Sequence, residues 1–155
     1  MLTTQQTIKK YGTPNQTGKG YLVTIQLPYK MRLAWDTKTF VTKMSCHKLI
    51  ADKMLAVFND LLAHYGYEKI VELGIDLFGG CFNFRAMRGG SEYSKHSWGI
   101  AVDLDPARNT LKETAKTARF ARAEYKPMID IFYKNGFVSL GKEKNMDFMH
   151  FEIKE

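Results

Sequence analysis

The chain reads as one α+β domain whose sheet is mainly antiparallel and flanked by helices. Three patterns predict this. Residues 21–27 alternate apolar and polar, residues 45–65 carry apolar positions at helical spacing, and residues 99–104 alternate again ahead of a late helix and a closing strand. A length of 155 residues suits one domain, 1–155, with a sizeable core.

The elements follow in order. Residues 1–20 are polar and hold two turn signals, Gly12-Thr13-Pro14-Asn15 and Gly18-Lys19-Gly20, so an irregular N-terminal arm is expected. Tyr21, Val23, Ile25 and Leu27 share one face of a half-buried strand that Pro28 should end. Over 45–65, Ile50, Met54, Val57, Phe58, Leu61 and Leu62 line one face of a helix, with Ser45 to cap it and Gly66 to stop it. His47 and His64 fall on that helix without a partner at ligand spacing, which reads both as surface or capping residues. Residues 81–87 read as a strand bringing Arg85 forward, followed by the loop Arg88-Gly89-Gly90-Ser91. In 99–104, Gly99, Ala101 and Asp103 face one way and Ile100, Val102 and Leu104 the other. The small residues leave open surface beside Asp103 while the branched ones build core behind it. A helix over 123–134 tolerates Pro127 near its first turn and stops at Asn135-Gly136, and a strand over 146–153 follows.

Composition narrows the function classes. With 23 basic and 16 acidic residues the net charge is +7, which draws the chain toward polyanions: nucleic acid, anionic cell-wall polymer or lipid head groups. Arg108, Lys112, Lys116, Arg119 and Arg122 recur at helical spacing, so a helix there would carry a basic stripe, although a solvated face is the simpler account of each residue. Aromatic and basic residues do not interleave in any nucleic-acid motif, and no helix-turn-helix or zinc-finger spacing occurs. No apolar run reaches the ~18 residues of a membrane span, and the polar N-terminus lacks the pattern of a secretory signal. Cys46 and Cys81 lack CxxC spacing and are expected to be reduced, buried thiols.

Chemistry concentrates in two places. Residues 94–103 supply Ser94, His96 and Asp103, and residues 147–150 supply Asp147 and His150. Two imidazoles and a carboxylate are the three protein ligands of an open catalytic zinc site, with the fourth position left for water. Asp147, three residues before His150, is a carboxylate where a general base can work. A lone histidine in a strand is usually a satisfied core group; four such residues together point to metal-assisted hydrolysis.

These motifs resemble the zinc D-Ala-D-Ala carboxypeptidase family, which includes VanY-like carboxypeptidases, D-Ala-D-Ala dipeptidases and the L-alanyl-D-glutamate endolysins of bacteriophages. Every fixed position of the family's Ser-x-His-x-x-Gly-x-Ala-x-Asp motif is present, as Ser94, His96, Gly99, Ala101 and Asp103. Asp147 and His150 match its Asp/Glu-x-x-His. The flanks, Gly79-Gly80-Cys81-Phe82-Asn83-Phe84-Arg85 and Met149-His150-Phe151-Glu152, are similar to the compact phage branch. The likeness runs from about Trp35 onward and is strongest from Gly79 to Asn109. It departs near Gly136-Phe137, where a frequent Trp-Gly-Gly stretch is replaced by Ser139-Leu140-Gly141, which changes the wall facing substrate.

The resemblance implies a hedgehog/D-Ala-D-Ala peptidase-like fold and one zinc held by His96, Asp103 and His150, with Asp147 as general base. It puts Arg85 beside the substrate to stabilise the oxyanion, with Arg88 as second candidate. Ser94 binds substrate or orients its loop; no Gly-x-Ser-x-Gly elbow makes it a nucleophile. Trp98 lines the cleft or, equally well, packs beside Gly99. The expected enzyme is a monomeric peptidoglycan hydrolase cutting stem peptides. An L-Ala–D-Glu endopeptidase is favoured over a D-Ala-D-Ala carboxypeptidase, because a small, basic, signal-less domain looks like a phage or prophage endolysin. It would be made in the host cytoplasm and reach the wall in the periplasm by other means. A non-catalytic wall-binding module with a structural zinc is the competing reading. Asp147 argues against it, since structural zinc usually takes Cys or His as fourth ligand.

Overall fold

The computed structural model describes residues 1–87, 90 and 92–155, so Arg88 lies outside the described residues. A six-stranded mixed sheet in the order β2-β1-β3-β4-β6-β5 carries helices packed against it. Its strands are β1 (Leu22–Leu33), β2 (Asp36–His47), β3 (Leu77–Gly80), β4 (Ala101–Leu104), β5 (Phe137–Ser139) and β6 (His150–Ile153). Only β1 and β3 run parallel; the other neighbours pair antiparallel. The expected α+β architecture is therefore present. No helix among the described residues is long and apolar enough to cross a membrane.

The helices are α1 (Thr4–Tyr11), α2 (Ala51–Tyr65), α3 (Tyr67–Leu73), α4 (Lys126–Lys134) and α5 (Leu140–Lys144). α2 buries Met54, Val57, Phe58 and Leu61 at 0% exposure, one face of the helix at the expected period. Each such burial contributes about 1.5–3 kcal/mol. Phe132 of α4 stacks on Phe151 of β6, ring centroids 3.9 Å apart, and Phe137 closes edge-on. That aromatic group is the floor on which β6 rests.

Several expectations are corrected. Residues 4–11 form α1 rather than an irregular arm, because Thr3 and Gln6 make a reciprocal capping box that polar composition alone conceals. β1 does not end at Pro28. It continues to Leu33 across a register shift between Gln26 and Met31, where an irregular pairing tolerates the missing N–H. Ser45 caps nothing: buried Met44 and Cys46 flank it in alternation, so β2 extends to His47 and α2 starts at Ala51. Residues 81–87 hold only an isolated bridge, Ala86 to Tyr93. The basic residues of 108–122 share no helix, since that stretch contains only two short 3₁₀ turns, Pro106–Arg108 and Arg119–Ala121. Helix 123–134 begins as a 3₁₀ turn and becomes α4 at Lys126. The closing strand starts at His150, not Met146, because Asp147 takes left-handed backbone (φ 55°) and breaks the extended run.

His47 is buried and structural. Leu49 N–H donates to its Nδ1 (3.0 Å), so Nε2 carries the proton and donates to Tyr11 O (2.9 Å), fastening the end of α1 to β2. Burial holds its pKa below the usual value. His64 is exposed on α2. Cys46 and Cys81 are free and buried, and burial pushes the Cys46 thiol up to about 12.

Gly99 is a tight backbone constraint beside the site. It has φ 69°, and a Cβ there would lie 3.1 Å from His47 N and 3.2 Å from Cys46 Cα. Gly99→Ala should destabilise the fold by about 1–3 kcal/mol, read as a lowered midpoint in denaturant titration. An unchanged midpoint would mean that the turn relaxes freely.

Candidate metal centre

His96, Asp103 and His150 come together from three elements. Ser94 caps a 3₁₀ turn, Lys95–Trp98, by accepting from His96 N–H (3.3 Å). Gly99 in left-handed conformation ends the turn and passes the chain into β4. β4 presents Asp103, and the antiparallel register sets His150 of β6 directly opposite it. One ligand atom from each residue lies within 4.8 Å of the others, and all three residues are buried.

The donor atoms fit a cation. His96 Nδ1 lies 2.7 Å from the Cys81 carbonyl, so in the neutral ring Nδ1 carries the hydrogen and Nε2 offers a lone pair. Nε2 sits 3.2 Å from Asp103 Oδ1, yet it is buried without a hydrogen-bond partner. Two acceptors aimed at one point inside a protein are unfavourable unless a positive ion lies between them. His150 Nδ1 is 3.1 Å from the same Oδ1, while its Nε2 is 3.0 Å from Glu152 Oε1. An imidazole with one nitrogen on the ligand cluster and the other on a carboxylate is the usual support of a zinc-bound histidine.

Without a metal, a proton does this work. Burial alone would lower the His150 pKa, but hydrogen bonds to Asp103 and Glu152 and their charges push it up to about 10. Burial opposes ionisation of Asp103 as well, yet the neighbouring imidazoles, His96 first and then His150, hold it below the ordinary carboxylate range. Glu152 is likewise lowered against burial, by the hydrogen bond and charge of His150 and then by Lys95 and Lys144.

Two clefts open on this cluster. The first, about 310 Å³, is bordered by Asp103, His150, Asp147, Arg85, Ser94 and the N-terminal segment Met1 to Thr4. The second, about 280 Å³, reaches His96 and Asp103, and Arg85 borders both. Asp147 is half-buried; its N–H donates to Leu111 O (2.9 Å), and its carbonyl accepts from His150 N–H (3.0 Å). Arg85 is held through its backbone: Ser97 Oγ donates to the Arg85 carbonyl (2.8 Å) and accepts from its N–H (3.0 Å).

Trp98 does not line either cleft. It is fully buried, donates from Nε1 to Gly12 O (2.7 Å), and meets Tyr93 edge-on, so of its two expected roles packing prevails. Ser94, 4% exposed, orients the turn and borders the first cleft. Sequence reasoning missed Glu152 and Lys95. Lys95 Nζ donates to Leu2 O (2.8 Å) and stands 3.7 Å from Glu152 Oε2. The signal for Glu152 was present, since a residue two beyond His150 in a strand shares its face.

A buried His–Asp–His cluster at the foot of a cleft, with a carboxylate on the rim, is compatible with a metal-dependent hydrolase. A family model described as D-alanyl-D-alanine carboxypeptidase matches residues 88–153, the stretch holding His96, Asp103, Asp147 and His150. That match supports the zinc peptidase resemblance. No curated protein and no solved structure matches the chain.

Two outcomes follow. Glu152→Ala should weaken zinc binding by about 10–100-fold while Glu152→Gln, which can still accept from His150, loses less, as measured by chelator competition. Equal affinity in all three proteins would remove Glu152 from the support of the site. The second concerns protons. The stabilisation from protonated His150 is complete below its ordinary value of 6.5 and is lost as pH rises through about 10. That from Asp103 and Glu152 is present above their ordinary values and lost as pH falls. A zinc ion taken up at His150 Nδ1 would displace that proton, so binding between pH 7 and 8 should release about one proton, measured by calorimetry in buffers of different ionisation heat. Release of none would mean that His150 is already neutral.

Proposed function

We propose that this chain is a zinc-dependent peptidase that hydrolyses the peptide stem of peptidoglycan, with the L-Ala–D-Glu bond as its favoured target. The observation that carries the reading is the paired-acceptor geometry of His96 Nε2 and Asp103 Oδ1, with His150 opposite and Asp147 on the rim of the same cleft. His96, Asp103 and His150 would hold the metal. Bound zinc supplies Lewis-acid chemistry, polarising a substrate carbonyl and making water acidic enough to attack at neutral pH.

The remaining work belongs to the chain. Asp147 accepts a proton from the attacking water and returns it to the departing amine. Its left-handed backbone and its bond to Leu111 restrain it three residues from His150. Arg85, whose backbone Ser97 grips, reaches into the cleft and donates to the carbonyl oxygen as negative charge develops there. Ser94 orients the turn carrying His96.

The preference for an endopeptidase rests on the small basic domain and on its likeness to compact phage enzymes. In this reading it is a monomeric phage or prophage endolysin, made in the host cytoplasm and acting on the wall after release. Its charge of +7 favours an anionic sacculus and should do so less as salt rises. A D-Ala-D-Ala carboxypeptidase is the second reading, favoured by the description of the matching family model. A non-catalytic wall-binding module is the third.

Asp147→Asn should keep one zinc and lose about 10²–10⁴-fold in turnover. Near wild-type turnover at full occupancy would place the base elsewhere. Digestion of purified peptidoglycan, followed by mass spectrometry, should yield new L-Ala carboxyl ends and D-Glu amines. Release of free D-Ala alone would select the carboxypeptidase, and no new ends at all would select the binding module.

A further inference from the structure

We infer that the second cleft, on the Trp35 side of the metal cluster, is a saccharide subsite in which the indole of Trp35 stacks on an uncharged sugar ring joined to the substrate peptide. The inference rests on the peptidoglycan reading above and adds to it a part of the substrate that the catalytic residues do not touch.

The hairpin places Trp35. Leu33 pairs with Asp36, so Ala34 and Trp35 form the tip between β1 and β2. The tip is tied to the neighbouring strand by Ala34 N–H donating to Phe78 O (2.9 Å), one residue before Gly79. Trp35 is 67% exposed, and among the described residues no hydrogen bond or ring contact engages the indole. A single exposed aromatic is ordinary on a protein surface and needs no ligand. This one borders the same 280 Å³ cleft as His96 and Asp103, so one ligand lying along that cleft can meet both.

The chemistry of that cleft selects its occupant. Gly79 and Gly80 form a wall without side chains, and a Cβ at Gly79 would lie only 3.1 Å from Asp103 Cβ. Asn83 and Arg85 supply planar hydrogen-bonding groups. With Asp103 and His96 committed to a metal and Arg85 to the scissile carbonyl, the side chains left along this cleft are Trp35, Phe82 and Asn83, which suit a neutral, polar, ring-shaped ligand. An indole offers such a ring a large flat apolar face at low entropic cost. The first cleft differs, because charged groups of both signs border it, Lys95 and Lys144 with Glu92, Asp147 and Glu152. In a stem peptide the D-Glu side carries the carboxylates, whereas L-Ala is joined on its amine side to the lactyl group of a muramyl sugar. The charged peptide toward the first cleft and the sugar toward Trp35 gives the substrate one direction through the site.

The test uses a ligand that cannot be cleaved, N-acetylglucosaminyl-N-acetylmuramoyl-L-alanine, against N-acetyl-L-alanine as the sugar-free control. Binding to the zinc-loaded protein is followed by tryptophan fluorescence and calorimetry. The chain has two tryptophans and Trp98 is fully buried, so Trp35 dominates any change from contact with solvent or ligand. The sugar-bearing ligand should bind roughly tenfold more tightly than the control, Trp35→Ala should erase the difference, and Trp35→Phe should keep part of it. Equal or undetectable binding of the two ligands to the wild-type protein overturns the proposal, and so does an advantage that survives Trp35→Ala. Because no bond is cut, the binding result is independent of the digestion. Release of D-Ala alone with intact sugar binding at Trp35 would fell the endopeptidase reading and leave the subsite standing.

Discussion

Asp103 and His150 face each other across β4 and β6, and the rest of the site depends on that register. The same ladder sets Val102 against Phe151 and Ala101 against Glu152. Because side chains alternate, Asp103, His150 and Glu152 share one face while Val102 and Phe151 go to the other, where Phe151 stacks on Phe132. A slip of one residue would send the ligands to opposite faces and drive an apolar ring toward the cleft. Packing of the Phe151 face therefore fixes the face that carries Asp103 and His150, so core and candidate site are two sides of one pairing.

Around that pairing each ligand is held from behind. The Cys81 carbonyl fixes the ring of His96, and Glu152 fixes that of His150, with Lys95 beside it. Burying so many charged groups costs more than an apolar cluster of equal volume would, and a shell of this kind makes sense for a bound cation rather than for stability. α1 also belongs to the site. Trp98 to Gly12, His47 to Tyr11 and Lys95 to Leu2 clasp it against the turn that carries His96. The first residues of the chain become a wall of the cleft.

The His96, Asp103 and His150 cluster was legible because metal chemistry demands particular donor types at a recognisable spacing, and the fold brings the three together. α2 and β4 were legible because their faces are buried with regular period. What escaped depends on tertiary partners. The capping box of α1 looks like any polar arm until Lys95 and Trp98 hold it. β2 and the start of α2 share a stretch where Ser45 suits either state, and burial of Met44 and Cys46 decides for the strand. Trp98 sits next to a ligand in sequence yet points into the core, because a 3₁₀ turn of four residues sends His96 and Trp98 different ways. Glu152 was legible in principle from strand alternation, but an acidic residue near the end of the sequence reads as solvent-facing until His150 and Lys95 engage it.

The peptidase chemistry stands or falls on where a metal binds. Crystals grown from zinc-supplemented protein, measured on both sides of the zinc absorption edge, should show one anomalous peak per chain bonded to His96 Nε2, Asp103 and His150 Nδ1, with Zn–N distances of about 2.0–2.1 Å. No peak at that cluster, or a single peak held by other residues, would contradict it.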